Sequence, residues 1–170
     1  FPESCAEAAI NSGMRAAIGM IVIDFPTAYA SDADDYLAKG LELRDKYHQH
    51  PLLSFCFAPH APYTVSDKTF TTILTYAEQL NTPIHTHLHE TQDEIRINLE
   101  TSGVRPIERM HQLGLLSPNL IAVHMVHLTD HEIKLIHQYG CNVVHCPSSN
   151  MKLASGFAPI TSLLKQGVNI

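Results

Sequence analysis

The sequence predicts an α/β protein with parallel strands, a partial (β/α)8 barrel, and three observations carry that expectation. Five short apolar runs alternate with longer segments of helical periodicity, the pattern of repeated β/α units. Polar residues collect at the C-terminal ends of successive runs: Asp24, His60, His87 with Glu90, His124 and His145. Chemistry contributed by the ends of many consecutive strands is a barrel habit. No Gly-rich phosphate loop follows any run, which counts against a dinucleotide-binding sheet.

The runs span 16–25, 52–59, 83–90, 119–127 and 141–147, and a sixth begins at "GVNI". Between them lie "DADDYLAKGLELRDKYHQH", "SDKTFTTILTYAEQL", "TQDEIRINLE" with "RPIERMHQLG", and "TDHEIKLIHQYG". Each has apolar residues at helical spacing, and several open on a Ser, Thr or Asp able to cap the first turn. Gly114 and Gly140 stand where helices should stop. The stretch "HCPSSNMKLASG" after the fifth run reads as a long loop. A full barrel needs about 250 residues. The expectation for 1–170 is therefore part of one catalytic barrel domain, truncated at both ends, whose unpaired sheet edges favour association or a homo-oligomer.

Composition narrows the function. The chain is 45% apolar and 16% charged, as a well-buried globular domain is. Its formal charge of −6, from 17 acidic and 11 basic residues, argues against a nucleic-acid partner. No apolar run is long enough to span a bilayer and no signal peptide is visible, so no membrane partner and a cytoplasmic location are expected. The four cysteines form no C-x-x-C pair and read as free thiols. The 12 histidines are the departure from the ordinary, and they are scattered, not gathered into a metal-buffering tract.

The stretch "PIHTHLHET" (83–91) places His85, His87 and His89 at alternate positions, on one face of a strand, with Ile84, Thr86 and Leu88 opposite. Together with "RPIERMHQLGLL", "AVHMVHLTDHEI" and "VVHCPSSNMKLASGFAPI", it resembles the amidohydrolase superfamily. Within it the chain is similar to the branch of 5-methylthioadenosine/S-adenosylhomocysteine deaminases and their chlorohydrolase relatives, from about Pro51 onward and more loosely back to Phe1. The resemblance implies a metal-dependent hydrolase barrel of which the chain holds about strands 3 to 7 and the start of strand 8. It implies one divalent metal, zinc first, with iron(II) or manganese(II) as alternatives.

The resemblance also implies residue roles. His87, in the H-x-x-E pattern His87-Leu88-His89-Glu90, would be a metal ligand. Glu90 would contact the substrate and shuttle the proton that a metal-held water loses and a ring nitrogen gains. An N-cap or first-turn carboxylate stabilised by the following helix dipole is the bland reading of Glu90, and the two readings are compatible. His124 would orient the attacking water, or act as a further metal ligand. His60 would contact substrate, and Asn150 would border the pocket, as His145 would, with fixing the loop as the alternative. His85 and His89 read as wall residues and His127 as a loop residue, while Cys146 is not expected to be a nucleophile.

Two elements of the implied site are missing. The family's first strand carries an H-x-H pair that nothing before residue 83 is expected to supply, and the chain stops at "GVNI" before the family's last-strand aspartate. One histidine cannot hold a catalytic zinc, so the chain alone is expected to be inactive. The implied activity of the full-length parent is deamination of 5-methylthioadenosine or S-adenosylhomocysteine, with a small purine nucleoside as substrate. Arg44 is the one arginine between the first two runs, which favours the uncharged thioether substrate. The alternatives are a guanine or cytosine deaminase, a triazine hydrolase, and a non-catalytic truncated barrel.

Overall fold

Four helices begin where the sequence sets a small oxygen-bearing side chain ahead of an apolar stripe. Asp32, Ser66, Thr91 and Thr129 each accept the backbone N–H three residues on, at 2.9, 3.4, 3.1 and 3.3 Å, satisfying a donor the helix cannot use itself. In this computed structural model, which describes residues 1–170, the chain divides into two compact units. The first comprises Phe1–His60 with Thr64–Ile84, and the second Ala61–Tyr63 with His85–Ile170.

The first unit runs α1 (Pro2–Ser12), β1 (Ala16–Val22), α2 (Ala33–Tyr47), β2 (Leu53–Pro59) and α3 (Asp67–Leu80), ending on the first residue of β3 (Ile84–Leu88). β1 and β2 pair in parallel from Ala16↔Leu53 to Val22↔Pro59, and β3 joins at Phe57↔Ile84. The core is Met20, Val22, Tyr36, Phe57, Phe70 and Ile73, all fully buried. Asp24 follows β1 as the sequence predicts, but its carboxylate accepts Ser66 N–H and Thr69 Oγ1–H, both at 2.7 Å. It fastens the start of α3.

The second unit continues β3 through α4 (Gln92–Ser102), α5 (Pro106–Gln112), β4 (Leu120–His124), α6 (Asp130–Gln138), β5 (Asn142–Val144), α7 (Pro147–Lys152) and α8 (Ile160–Gln166). β4 and β5 pair in parallel from Ile121↔Asn142 to Val123↔Val144. The sixth run contributes one parallel bridge, Asn142↔Asn169. Gly114 (φ 79°) and Gly140 (φ 65°) stop α5 and α6 with a left-handed residue that glycine adopts without penalty.

Three differences from the sequence reading have physical causes. The strands end earlier than the apolar runs, because the chain turns to positive φ at His89, His124 and Met125. The expected loop after β5 contains α7, started by Pro147 with its φ already set for a helix. Helix α1 was not anticipated; its apolar stripe is little more than Ala6 and Ala9. No helix is long and apolar enough to cross a membrane.

Candidate functional site

β3 alternates as expected over its own length. Ile84, Thr86 and Leu88 are buried, while His85 and His87 are half-buried on the other face. His89 leaves the pattern. Its φ of 53° rotates it off the strand, and it is fully buried, so the expected face of three histidines is a face of two. The His89 ring accepts Ile107 N–H on Nε2 at 3.0 Å and donates from Nδ1 to His127 O at 3.0 Å. Burial pushes its pKa down to about 4, so the ring is neutral with its proton on Nδ1. Glu132 Oε1 lies 3.6 Å from His89 Nε2, but a neutral imidazole makes no ion pair with it.

Glu132 is held by Arg105 instead. The guanidinium donates from Nε and Nη2 to the two carboxylate oxygens, at 2.7 and 3.0 Å, and from Nη2 to His127 O at 2.6 Å. Burial alone would raise the Glu132 carboxyl, and the Arg105 hydrogen bonds hold it below its ordinary value. His127, expected to be a bland loop residue, is a structural anchor through its carbonyl.

The turn after β3 aims Glu90. Its backbone N–H and that of His89 both donate to the Glu94 carboxylate, each at 2.8 Å. Thr91 is the N-cap of α4, with Asp93 and Glu94 in its first turn. Glu90 therefore precedes the cap and is not part of the helix, which removes the bland reading of its carboxylate as a first-turn charge. Its side chain is 16% exposed, and Oε1 stands 3.5 Å from His124 Nε2.

His124 ends β4 with a left-handed backbone (φ 77°), followed by Met125 at φ 49°. Such a conformation in a residue with a Cβ costs of order 1–3 kcal/mol and persists only where the surrounding structure holds it. Hydrogen bonds from Met125 N–H to Leu88 O (3.0 Å) and from Val126 N–H to His89 O (2.9 Å) sustain it. The His124 ring is 5.3 Å from the His87 ring, centroid to centroid. His124 Nδ1 is 2.8 Å from Asn150 Oδ1 and donates to it, which turns Nε2 toward Glu90.

Asn150 is 2% exposed. It sits behind His124, and its Nδ2 has no hydrogen-bond partner. His60, in the first unit, has Nδ1 2.9 Å from Thr64 Oγ1. His145 is half-buried at the end of β5, and its Nδ1 has no hydrogen-bond partner. One pattern the sequence reading passed over is His48-Gln49-His50, an H-x-H. It lies ahead of β2 and not after a strand, with His48 Nδ1 at 2.9 Å from Asp45 O and His50 Nδ1 accepting Leu52 N–H at 3.3 Å. It shapes the turn into β2. Across the chain no group of three or more His, Cys, Asp or Glu is arranged to hold a metal ion. His87 therefore belongs to no metal-binding group within this chain.

Comparison with known proteins places these residues in context. The model of the amidohydrolase family matches residues 2–170. A 5-methylthioadenosine/S-adenosylhomocysteine deaminase of Teredinibacter turnerae is 45% identical over the whole chain, which covers 38% of that protein. A 5'-deoxyadenosine deaminase of Methanocaldococcus jannaschii is 38% identical, again over the whole chain and 41% of the relative. Among solved structures, an adenosine deaminase from Xanthomonas campestris with bound zinc superposes with a TM-score of 0.96 at 47% identity, over 99% of this chain and 38% of that one. A zinc-complexed atrazine chlorohydrolase from Arthrobacter aurescens TC1 shares the fold, with a TM-score of 0.84 at 22% identity, over 96% of this chain and 38% of that one. The chain thus spans about two-fifths of the length of the curated relatives it matches.

Proposed function

Since the chain belongs to the amidohydrolase family and has part of that family's barrel fold, we propose that its full-length parent is an adenine-nucleoside deaminase acting on 5-methylthioadenosine, S-adenosylhomocysteine or both. The observation that carries this reading is the Glu90–His124 pair, a carboxylate and an imidazole 3.5 Å apart. Relatives named as 5-methylthioadenosine/S-adenosylhomocysteine and 5'-deoxyadenosine deaminases support the substrate class. The thiols of Cys5, Cys56, Cys141 and Cys146 are all free, which supports a reducing compartment such as the cytoplasm.

Hydrolytic deamination adds water across the ring carbon that bears the amino group and expels ammonia. His124, its proton directed at Asn150, presents Nε2 to accept a hydrogen bond from the attacking water and so orients it. Glu90 takes the proton released in the attack and returns it to the adjacent ring nitrogen, the shuttle a single carboxylate can perform when both atoms lie within one hydrogen bond; the remaining water proton passes to the amino group, which leaves as ammonia while the ring carbon becomes a carbonyl. His87 would contribute one imidazole to a divalent metal, zinc by preference, whose part is to lower the proton affinity of water at the site. His60 is assigned a substrate contact and Asn150 the fixing of His124 at the pocket's edge. Arg44, the one arginine between β1 and β2, pairs with Asp45 at 3.2 Å in α2, which favours the thioether nucleoside over the amino-acid-bearing one.

The test is ammonia release by the full-length, zinc-loaded parent from 5-methylthioadenosine, S-adenosylhomocysteine and 5'-deoxyadenosine, with Glu90→Gln alongside. Release by the wild type, reduced about 100- to 10,000-fold in the variant, is the expected result. No release from any of the three, or a variant as fast as the wild type, overturns the reading.

A further inference from the structure

Among the residues that neither the family resemblance nor the sequence pattern assigns a role, Glu94 has the most specific geometry. It is 2% exposed, and its two carboxylate oxygens divide their work. Oε1 accepts the N–H of His89 and Oε2 the N–H of Glu90, both at 2.8 Å. Its own N–H donates to Thr91 Oγ1 at 3.1 Å, which anchors Glu94 at the start of α4. One rigid helix turn thereby grips two consecutive peptide groups at a point where the chain has left the strand with His89 at φ 53°.

We propose that Glu94 is a positioning residue that fixes the direction of Glu90, a role that rests on the deaminase reading of Glu90 given above. Two consecutive peptide planes, each held through its N–H by one oxygen of the same carboxylate, cannot rotate freely, and the second of them, His89–Glu90, sets the Cα–Cβ vector of Glu90. That vector determines whether the Glu90 carboxylate meets His124 and the substrate. A displacement of about 1 Å at a reacting group costs about 100-fold in rate. Only a carboxylate satisfies both N–H groups: an amide in its place opposes one of them with an NH2 group, and a shorter acid reaches only one. The three N–H donors that close this turn come from residues 89, 90 and 94. The sequence T-Q-D-E reads as an ordinary cap, which is why the role is invisible without the backbone.

The experiment uses the full-length, zinc-loaded parent and four variants: Glu94→Gln, Glu94→Asp, Glu90→Gln, and the Glu94→Gln/Glu90→Gln double variant. Ammonia release is measured at saturating and limiting 5-methylthioadenosine. Glu94→Gln and Glu94→Asp are each expected to lower kcat about 100-fold with KM changed less than about threefold, the signature of a group that acts in the transition state. In the Glu90→Gln background the further loss from Glu94→Gln is expected to be less than about threefold, because a residue acting only through Glu90 has nothing left to position. Equal losses in both backgrounds, or a kcat unchanged in Glu94→Gln, overturn the proposal.

A second readout does not depend on activity. In the 15N-labelled wild type, the amide protons of His89 and Glu90 are expected to shift together as pH is taken through the titration of Glu94. Amides that stay still overturn the clamp even where the variants fold poorly. A wild type that releases no ammonia from adenine nucleosides overturns the deaminase reading and the kinetic role with it. In that case the amide shifts still decide separately whether Glu94 holds the turn.

Discussion

The turns that follow β3 and β4 are built from the same pieces and put them to different use. Both strands end at residues with positive φ, His89 in one and His124 with Met125 in the other. Both then enter a helix through T-x-x-E, Thr91 to Glu94 and Thr129 to Glu132, with the threonine capping the glutamate's N–H in each. Glu132 closes a complete capping box, accepting Thr129 N–H at 2.7 Å, and is neutralised by the Arg105 guanidinium. Glu94 reaches further back, to the N–H groups of His89 and Glu90. Burial pushes its carboxyl up to about 7, while Glu132 is held below its ordinary value. The same T-x-x-E pattern therefore yields a carboxylate paired with a cation in one turn and a buried carboxylate that holds backbone N–H groups in the other. The second stands beside Glu90.

The largest expected effect lies in the neutralised turn. Arg105→Met leaves the Glu132 carboxylate buried without its cation and His127 O with only the His89 Nδ1 donor, and truncating one partner of a buried pair costs about 3–5 kcal/mol. Arg105 is 31% exposed on its side chain, so water offsets some of this and the lower end, about 3 kcal/mol, is expected. Urea unfolding of the variant against wild type measures it. A loss below about 1 kcal/mol would show that the two turns do not differ in the way their charges suggest.

The next effect sharpens the contrast through pH. Glu94 has its folded pKa at about 7 against an ordinary 4.5. A raised carboxyl pKa means the native state binds the proton more tightly, so this contribution is fully present below about pH 4.5 and is lost as pH rises to about 7. The shift corresponds to at most about 3 kcal/mol. Glu132 runs in the opposite sense: its lowered pKa contributes stability above the ordinary carboxylate range that disappears as pH falls. The unfolding free energy of wild type minus that of Glu94→Gln is expected to fall by about 1–3 kcal/mol between pH 5 and pH 8. A difference that is flat or rises would show that the Glu94 turn is as well neutralised as its counterpart.

These two turns also mark what the sequence could and could not disclose. Periodicity located all five strands, and cap residues located the starts of α2, α3, α4 and α6, because both signals are local. The strand ends were set too late because a positive φ at His89 or His124 leaves no trace in an apolar pattern; only the fold's other contacts force it. His87, Glu90 and His124 could be singled out as candidates because the family resemblance rests on their motif spacing. The burial of His89, the Arg105–Glu132 pair and the Glu94 clamp were not, since each depends on residues brought together by the turn geometry. Asn150 was expected to border a pocket, and its hydrogen bond with His124 Nδ1, 26 positions away in the chain, was not foreseen. The H-x-H at His48–His50 shows the converse, a motif without the strand end that would give it meaning.

The smallest expected effect compares the caps themselves. Thr91 accepts one N–H, from Glu94 at 3.1 Å. Thr129 accepts Glu132 N–H at 3.3 Å and also donates its hydroxyl to Glu132 Oε2 at 2.9 Å, within a box whose remaining bond is Thr129 N–H to the same oxygen. Replacing a cap threonine by alanine costs about 0.5–2 kcal/mol. Thr129→Ala removes two bonds around a buried carboxylate and should fall near the top of that range, while Thr91→Ala removes one and should fall near the bottom. Urea midpoints at constant m-value measure both. Kinetics in the full-length parent then separate the turns: Thr91→Ala frees the α4 end on which Glu94 stands and should lower kcat several-fold, whereas Thr129→Ala should change stability and leave kcat within about twofold. If the two variants shift kcat equally, the helix start behind Glu90 is no more a part of the site than the one behind Glu132.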